Sequence, residues 1–175
     1  TLITKGKYDV MDIAAIDEAG GYLYFHASPE NATQKYLYRT KLNGTGNAER
    51  LTPDEYPGTN SYNLSPGATY AVHNFSNYYT RPSMEWITVA GHKPIGDGIK
   101  AAAATAKAQS NVEFITITTE EGVQMDAWMA KPANFDASKK YPVVFYVYTE
   151  PWGQTVKASY GAGRNFLYKG DMAKD

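Results

Sequence analysis

Tyr22-Leu23-Tyr24-Phe25-His26, followed by Tyr36-Leu37-Tyr38-Arg39, recurs in outline as Tyr70-Ala71-Val72-His73, followed by Glu85-Trp86-Ile87-Thr88. The Tyr-x-Tyr alternation in these runs suits a pleated sheet with one half-exposed face. The two copies are offset by about 48 residues, within the range of a propeller blade of four strands. About two units fit here, whereas a propeller closes with roughly 4 to 8 blades. The repeat therefore reads as the tail of a ring whose other blades lie upstream.

Around this repeat, the first ninety residues read as strands at Asp9 to Ile16, Gly21 to Ala27, Lys35 to Leu42, Ala48 to Thr52, Ser61 to Leu64, Thr69 to Phe75 and Met84 to Val89. Between them lie Glu18-Ala19-Gly20-Gly21, Ser28-Pro29-Glu30-Asn31, Asn43-Gly44-Thr45-Gly46, Pro53-Asp54 and Ser65-Pro66-Gly67. These residues preset a turn or tolerate positive φ. Short strands at even spacing predict an all-β domain.

The character changes after Val89. Gly91 to Gly96 reads as a connector, and Asp97 as the cap of a helix from about Gly98 to Ala108, where alanine supplies helix propensity. Val112 to Thr119 and Val123 to Ala130 form a hairpin about Glu120-Glu121-Gly122, followed by Lys131-Pro132 and a polar loop from Ala133 to Lys140. Tyr141-Pro142 then launches the apolar run Val143 to Tyr148, read as a buried strand that stops at Thr149-Glu150-Pro151. Such a strand delivers its last side chain, the phenol of Tyr148, to its end. That group is a neutral hydrogen-bond donor at pH 7; packing alone is the competing reading. A second helix is predicted from about Ala162 to Met172.

Composition narrows the function classes. Formal charge is -1 with acids and bases interspersed, which leaves no electrostatic footprint for nucleic acid and no polybasic membrane patch. The apolar runs fall short of the roughly 18 residues a bilayer span requires. Thr1-Leu2-Ile3-Thr4-Lys5-Gly6 lacks the pattern of a leader, so the chain reads as mature or as starting within a larger protein. There are no cysteines, which excludes disulfides and thiolate chemistry.

His26, His73 and His92 are scattered singly, with no metal-ligand spacing, and read as structural or exposed; neither a metal nor a cofactor is expected. Asn31-Ala32-Thr33, Asn43-Gly44-Thr45, Asn63-Leu64-Ser65 and Asn74-Phe75-Ser76 fit the glycosylation pattern, which is short enough to recur by chance. Acyl transfer by a hydroxyl needs a serine on a sharp turn, a histidine base and an acid. The sequence has no Gly-x-Ser-x-Gly, and Ser159-Tyr160-Gly161-Ala162-Gly163 lacks the preceding glycine and strand.

Ile3-Thr4-Lys5-Gly6, the paired Tyr-Leu-Tyr strands and Ser61 through Val89 are similar to the last two blades of the propeller in the dipeptidyl peptidase IV family, bacterial type, among the prolyl oligopeptidase-like serine peptidases. Phe114 through Glu121, Lys131-Pro132, Phe135-Asp136 and Ser138-Lys139-Lys140-Tyr141-Pro142 resemble the entry into its α/β-hydrolase domain. The resemblance implies a mainly β chain: the last blades of a β-propeller over residues 1–96, joined over 97–175 to a linker helix and the first strands of an α/β-hydrolase sheet, with two short helices in all.

It further implies a peptidase that releases N-terminal dipeptides with proline or alanine second, acting on peptide substrates in the periplasm or outside the cell. The family's oxyanion-stabilising tyrosine falls on Tyr148, while its nucleophile, acid and histidine come later than this chain reaches. Many relatives carry two small residues where Thr149-Glu150 stand here; a carboxylate at an oxyanion site opposes the developing charge unless Glu150 faces solvent. The alternative class is a catalytically dead relative retained as a peptide- or protein-binding module. Blade faces and a sheet edge left without neighbours lead to an expectation of self-association.

Overall fold

The computed structural model describes residues 2–99, 112–132, 134–147 and 153–160. Two four-stranded antiparallel meanders and one hairpin make up its regular structure. The first meander runs β1 (Val10–Asp17), β2 (Tyr22–Ala27), β3 (Tyr36–Lys41) and β4 (Glu49–Arg50), each strand paired with the next. The second runs β5 (Thr59–Leu64), β6 (Tyr70–Ser76), β7 (Ser83–Thr88) and β8 (Lys93–Ile95) in the same order. Corresponding strands of the two sheets follow the spacing of the sequence repeat, so each copy of the repeat is one four-stranded meander.

Side-chain alternation explains how the sheets stack. On β2, Tyr24 faces the second sheet and packs with Leu37, Tyr62, Ala71, Ile87 and Val89. Leu23, Phe25 and Ala27 point the opposite way, joining Tyr36 and Tyr38 beneath Ile3 and Tyr8. β2 is thus buried on both faces, not half-exposed as its Tyr-x-Tyr alternation predicts, because the second sheet covers one face and Ile3 and Tyr8 the other. The backbones also meet: the Lys35 amide donates to the Gly58 carbonyl (2.9 Å) and the Asn60 amide to the Lys35 carbonyl (3.0 Å), around a parallel bridge from Lys35 to Thr59.

The hairpin of β9 (Val112–Thr118) and β10 (Gln124–Ala130) forms as expected, turning at Gly122 with φ +82°. Three expectations change. Lys93–Ile95 lies inside the predicted connector, yet it pairs with β7 as the fourth strand of the second sheet; Pro94 is tolerated because β8 is an edge. Gly98 and Ile99 are not helical, since Gly98 takes a left-handed conformation at φ +64°. The rest of that helix, and the one from Ala162 to Met172, fall outside the described residues. Residues 143–147 run without ladder partners among the described residues. Their composition favours a strand, but a strand exists only beside another.

Candidate functional site

Register, not proximity in sequence, assembles a polar cluster inside the second sheet. Tyr62 on β5 is the cross-strand partner of His73 on β6, and His73 is the partner of Glu85 on β7, so the three side chains form one row across the sheet. Asn60 joins from two positions before Tyr62 on the same face. His92 enters from the turn before β8 with φ +47°, a left-handed conformation uncommon outside glycine and asparagine.

His73 and Asn60 have no solvent exposure, and Glu85 and His92 are buried. His73 Nδ1 lies 2.8 Å from Glu85 Oε1, and His73 Nε2 lies 2.8 Å from Asn60 Oδ1. The Asn60 amide nitrogen donates to the carbonyls of Lys35 and Tyr56, each at 3.0 Å. Glu85 Oε2 accepts the Ile99 amide at 2.8 Å, and Tyr56 donates its hydroxyl to the same carboxylate. His92 Nε2 is 2.9 Å from the Tyr62 hydroxyl, which donates to Thr52 Oγ1 at 3.0 Å. The His73 ring stacks on Tyr62 with centroids 4.4 Å apart and planes at 8°.

The electrostatics follow from burial and these bonds. Desolvation acts to raise the Glu85 carboxyl, but the bonds it accepts from His73, Ile99 and Tyr56 outweigh it and hold the group below the usual carboxylate range. Tyr56 is pushed up to about 12 by burial and by Glu85. Burial also lowers His92. At His73 burial is the larger effect and presses the imidazole down to about 4, against the upward pull of the bond to Glu85.

His73, Glu85 and His92 each offer a ligand atom, and these lie within 4.8 Å of one another. Both nitrogens of His73 and both oxygens of Glu85 are already engaged by protein groups, in the geometry of charge-assisted hydrogen bonds. The cluster is buried among the described residues, and its hydrogen bonds tie β5, β6 and β7 together. His26 is buried separately, 2.5 Å from Asp12 Oδ1, with its Nε2 unpaired among the described residues; burial lowers its pKa. The three histidines are thus all internal, and two of them are brought together. Sequence reading missed that convergence. The available signal was the interruption of apolar strands by His73 and Glu85, one strand apart.

Tyr148 and Glu150, singled out in the sequence, fall outside the described residues. Segments on either side of them are described. Before them, residues 143–147 are exposed and apolar. After them, residues 153–160 return to the seam between the two sheets: the Ala158 amide donates to the Thr33 carbonyl (2.7 Å), and Thr59 Oγ1 donates to the Ala158 carbonyl (3.1 Å). Gln154 adds a hydrogen bond to the Ala32 carbonyl. A small cavity of about 120 Å³ lies nearby, lined by Asn31, Thr33 and Phe114 among others. That is well below the ~300 Å³ at which ligand pockets begin.

Residues 1–82 match the family model described as "Dipeptidyl peptidase IV (DPP IV) N-terminal region". The chain is 32% identical over 166 residues to the "Probable dipeptidyl-aminopeptidase B" of Coccidioides posadasii, covering 89% of this chain and 17% of that protein. It is 30% identical over 164 residues to the dipeptidyl-aminopeptidase B of Aspergillus niger, covering 89% of this chain and 18% of that protein. Among solved structures, Porphyromonas gingivalis dipeptidyl peptidase 4 superposes with a TM-score of 0.75 at 26% identity, covering 91% of this chain and 22% of that one. Stacked antiparallel meanders with these matches define a mainly β chain similar to the propeller region of the dipeptidyl peptidases. The chain belongs to the dipeptidyl peptidase IV family, and spans under a fifth of the length of the curated relatives it matches.

Proposed function

We propose that the chain is a segment of a serine-type dipeptidyl peptidase that releases N-terminal dipeptides, with proline or alanine second, from peptide substrates. The observation that carries this reading is the match to dipeptidyl-aminopeptidases across 89% of the chain, through the passage from the second sheet to the hairpin and beyond. Residues 1–96 are assigned to the propeller end and 97–175 to the start of the hydrolase domain. The protein containing it is assigned to the periplasm or the extracellular space.

The chain's own chemical contribution is the Tyr148 hydroxyl, donated to the oxyanion of the tetrahedral intermediate. A donor fixed in such a place lowers the barrier by roughly 2.7 to 4 kcal/mol. Without a nucleophile the isolated chain is inactive. The experiment is to replace Tyr148 with Phe in the protein that carries the nucleophile and assay hydrolysis of a Gly-Pro anilide. A kcat lower by about 100-fold or more, with little change in folding, supports the role. Near-normal kcat returns Tyr148 to packing, and a parent protein without hydrolysis or labelling by a serine-directed phosphonate favours the binding-module alternative.

A further inference from the structure

We propose that His73 is a doubly protonated, positively charged imidazolium sealed inside the second sheet, and that its pairing with the Glu85 carboxylate forms a clamp on the chain as it leaves β8. The argument rests on hydrogen-bond directions. The Asn60 amide nitrogen donates to the carbonyls of Lys35 and Tyr56. Rotating that amide by half a turn would set its oxygen against both carbonyl oxygens at 3.0 Å. The unrotated amide therefore presents its oxygen to His73 Nε2 at 2.8 Å, and an acceptor there requires Nε2 to carry hydrogen. His73 Nδ1 faces a carboxylate oxygen at the same separation. Two lone pairs do not meet at 2.8 Å, so a proton lies between them.

That proton belongs to His73, although burial presses the imidazole down to about 4: the acceptors at 2.8 Å from both ring nitrogens oppose that pressure. Glu85 already accepts the Ile99 amide and the Tyr56 hydroxyl, which stabilise its ionised form. Imidazole is also the stronger base by about 2 pKa units in water. The parallel face of Tyr62, 4.4 Å away, is an environment that favours a cation. With the proton on His73 the buried pair is neutral overall, which avoids the cost of an isolated internal charge.

The other titratable groups facing the pair are Tyr56 from the segment before β5, Tyr62 from β5 and His92 from the turn before β8. His92, lowered by burial, stays neutral at pH 7, and Glu55 adds negative potential at Tyr56 and His92. A metal ion bridging Nδ1 and Oε1 in tetrahedral geometry would hold them about 3.3 Å apart, farther than they stand.

The clamp is the other half of the carboxylate. Gly98 has φ +64°, and a Cβ there would come within 3.2 Å of Glu85 Oε2 and 3.1 Å of Pro94 Cβ. Only glycine brings the backbone close enough for the next amide, that of Ile99, to reach Oε2 at 2.8 Å. The charge pair thereby fixes where the chain departs from the blade. Its importance to a second domain rests on the division at residue 96 proposed above; the protonation state does not.

The test is nuclear magnetic resonance of the full chain with 15N-labelled histidine rings, with His73 assigned through His73→Gln. Both His73 nitrogens are expected at protonated positions, unchanged from about pH 6 to 8. One unprotonated nitrogen at pH 7, including the case in which Glu85 holds the proton, overturns the proposal. Zinc added to chelator-treated protein is expected to leave these signals unmoved; stoichiometric shifts at His73 and His92 overturn it in favour of a metal centre. Glu85→Gln is expected to speed exchange of the Ile99 amide about tenfold relative to the Phe25 amide. Should that variant not fold, Gly98→Ala is expected to speed Ile99 exchange while the His73 nitrogens keep their protons. Unchanged Ile99 exchange in the folded variant overturns the clamp.

Discussion

Gly58 stands at the entrance to β5, where the backbones of the two sheets touch. Its carbonyl accepts the Lys35 amide across the seam, and a Cβ added to it would lie 2.4 Å from the Ser76 carbonyl oxygen and 2.8 Å from Asn77 Cβ. Neither neighbour is a flexible side-chain tip, so Gly58→Ala is expected to destabilise the chain by roughly 1–3 kcal/mol, read as a lower midpoint in urea unfolding with the slope retained. At this scale the sequence was a partial guide. The strands that carry Leu23, Phe25 and Ile87 were recognisable from their residues. The meeting of Tyr62, His73, Glu85 and Asn60 was not recognisable, because a lone histidine on a strand carries no mark of its cross-strand partner. Gly58, likewise, is identified only by what it touches.

At the scale of elements, β7 carries Glu85 and so joins β6 to the departing chain through one carboxylate. Glu85 is held below its ordinary value of 4.5. A carboxyl depressed in the folded state contributes stability that is fully present above its unfolded value and is lost as pH falls through its folded value. The melting temperature is therefore expected to fall on acidification below about pH 4.5, and the gap between the parent chain and Glu85→Gln to narrow over the same range. A gap that stays constant from about pH 6 to 3 would show that Glu85 is not the group responsible. Most strands were legible in their residues. β8 was hidden by Pro94, which reads as a break until its edge position is known. Residues 143–147 show the converse: strand-forming side chains with no described neighbour to pair with.

For the whole molecule, the surface that remains uncovered sets the expected behaviour. Met84 and Trp86 on the outer face of the second sheet are exposed, as are Val10, Met11, Ile13 and Ile16 on β1 and Val143 through Val147. Burying apolar surface is worth about 25 cal/mol per Å², and contiguous patches of this kind drive association. Light scattering at micromolar concentration is expected to report a species larger than the 19.3 kDa chain; a monodisperse monomer would mean that these faces are covered locally. The strand repeat, the hairpin turn and the family resemblance were legible in the residues alone, because strand period and turn chemistry are local; burial of β2 on both faces was not, since its alternation predicted one half-exposed face. That Lys93–Ile95 completes a sheet, that residues 153–160 dock at the seam, and that His73 sits between Glu85 and Asn60 emerge in the folded chain alone. Those features depend on which strand lies beside which, a relation that no single stretch of sequence encodes.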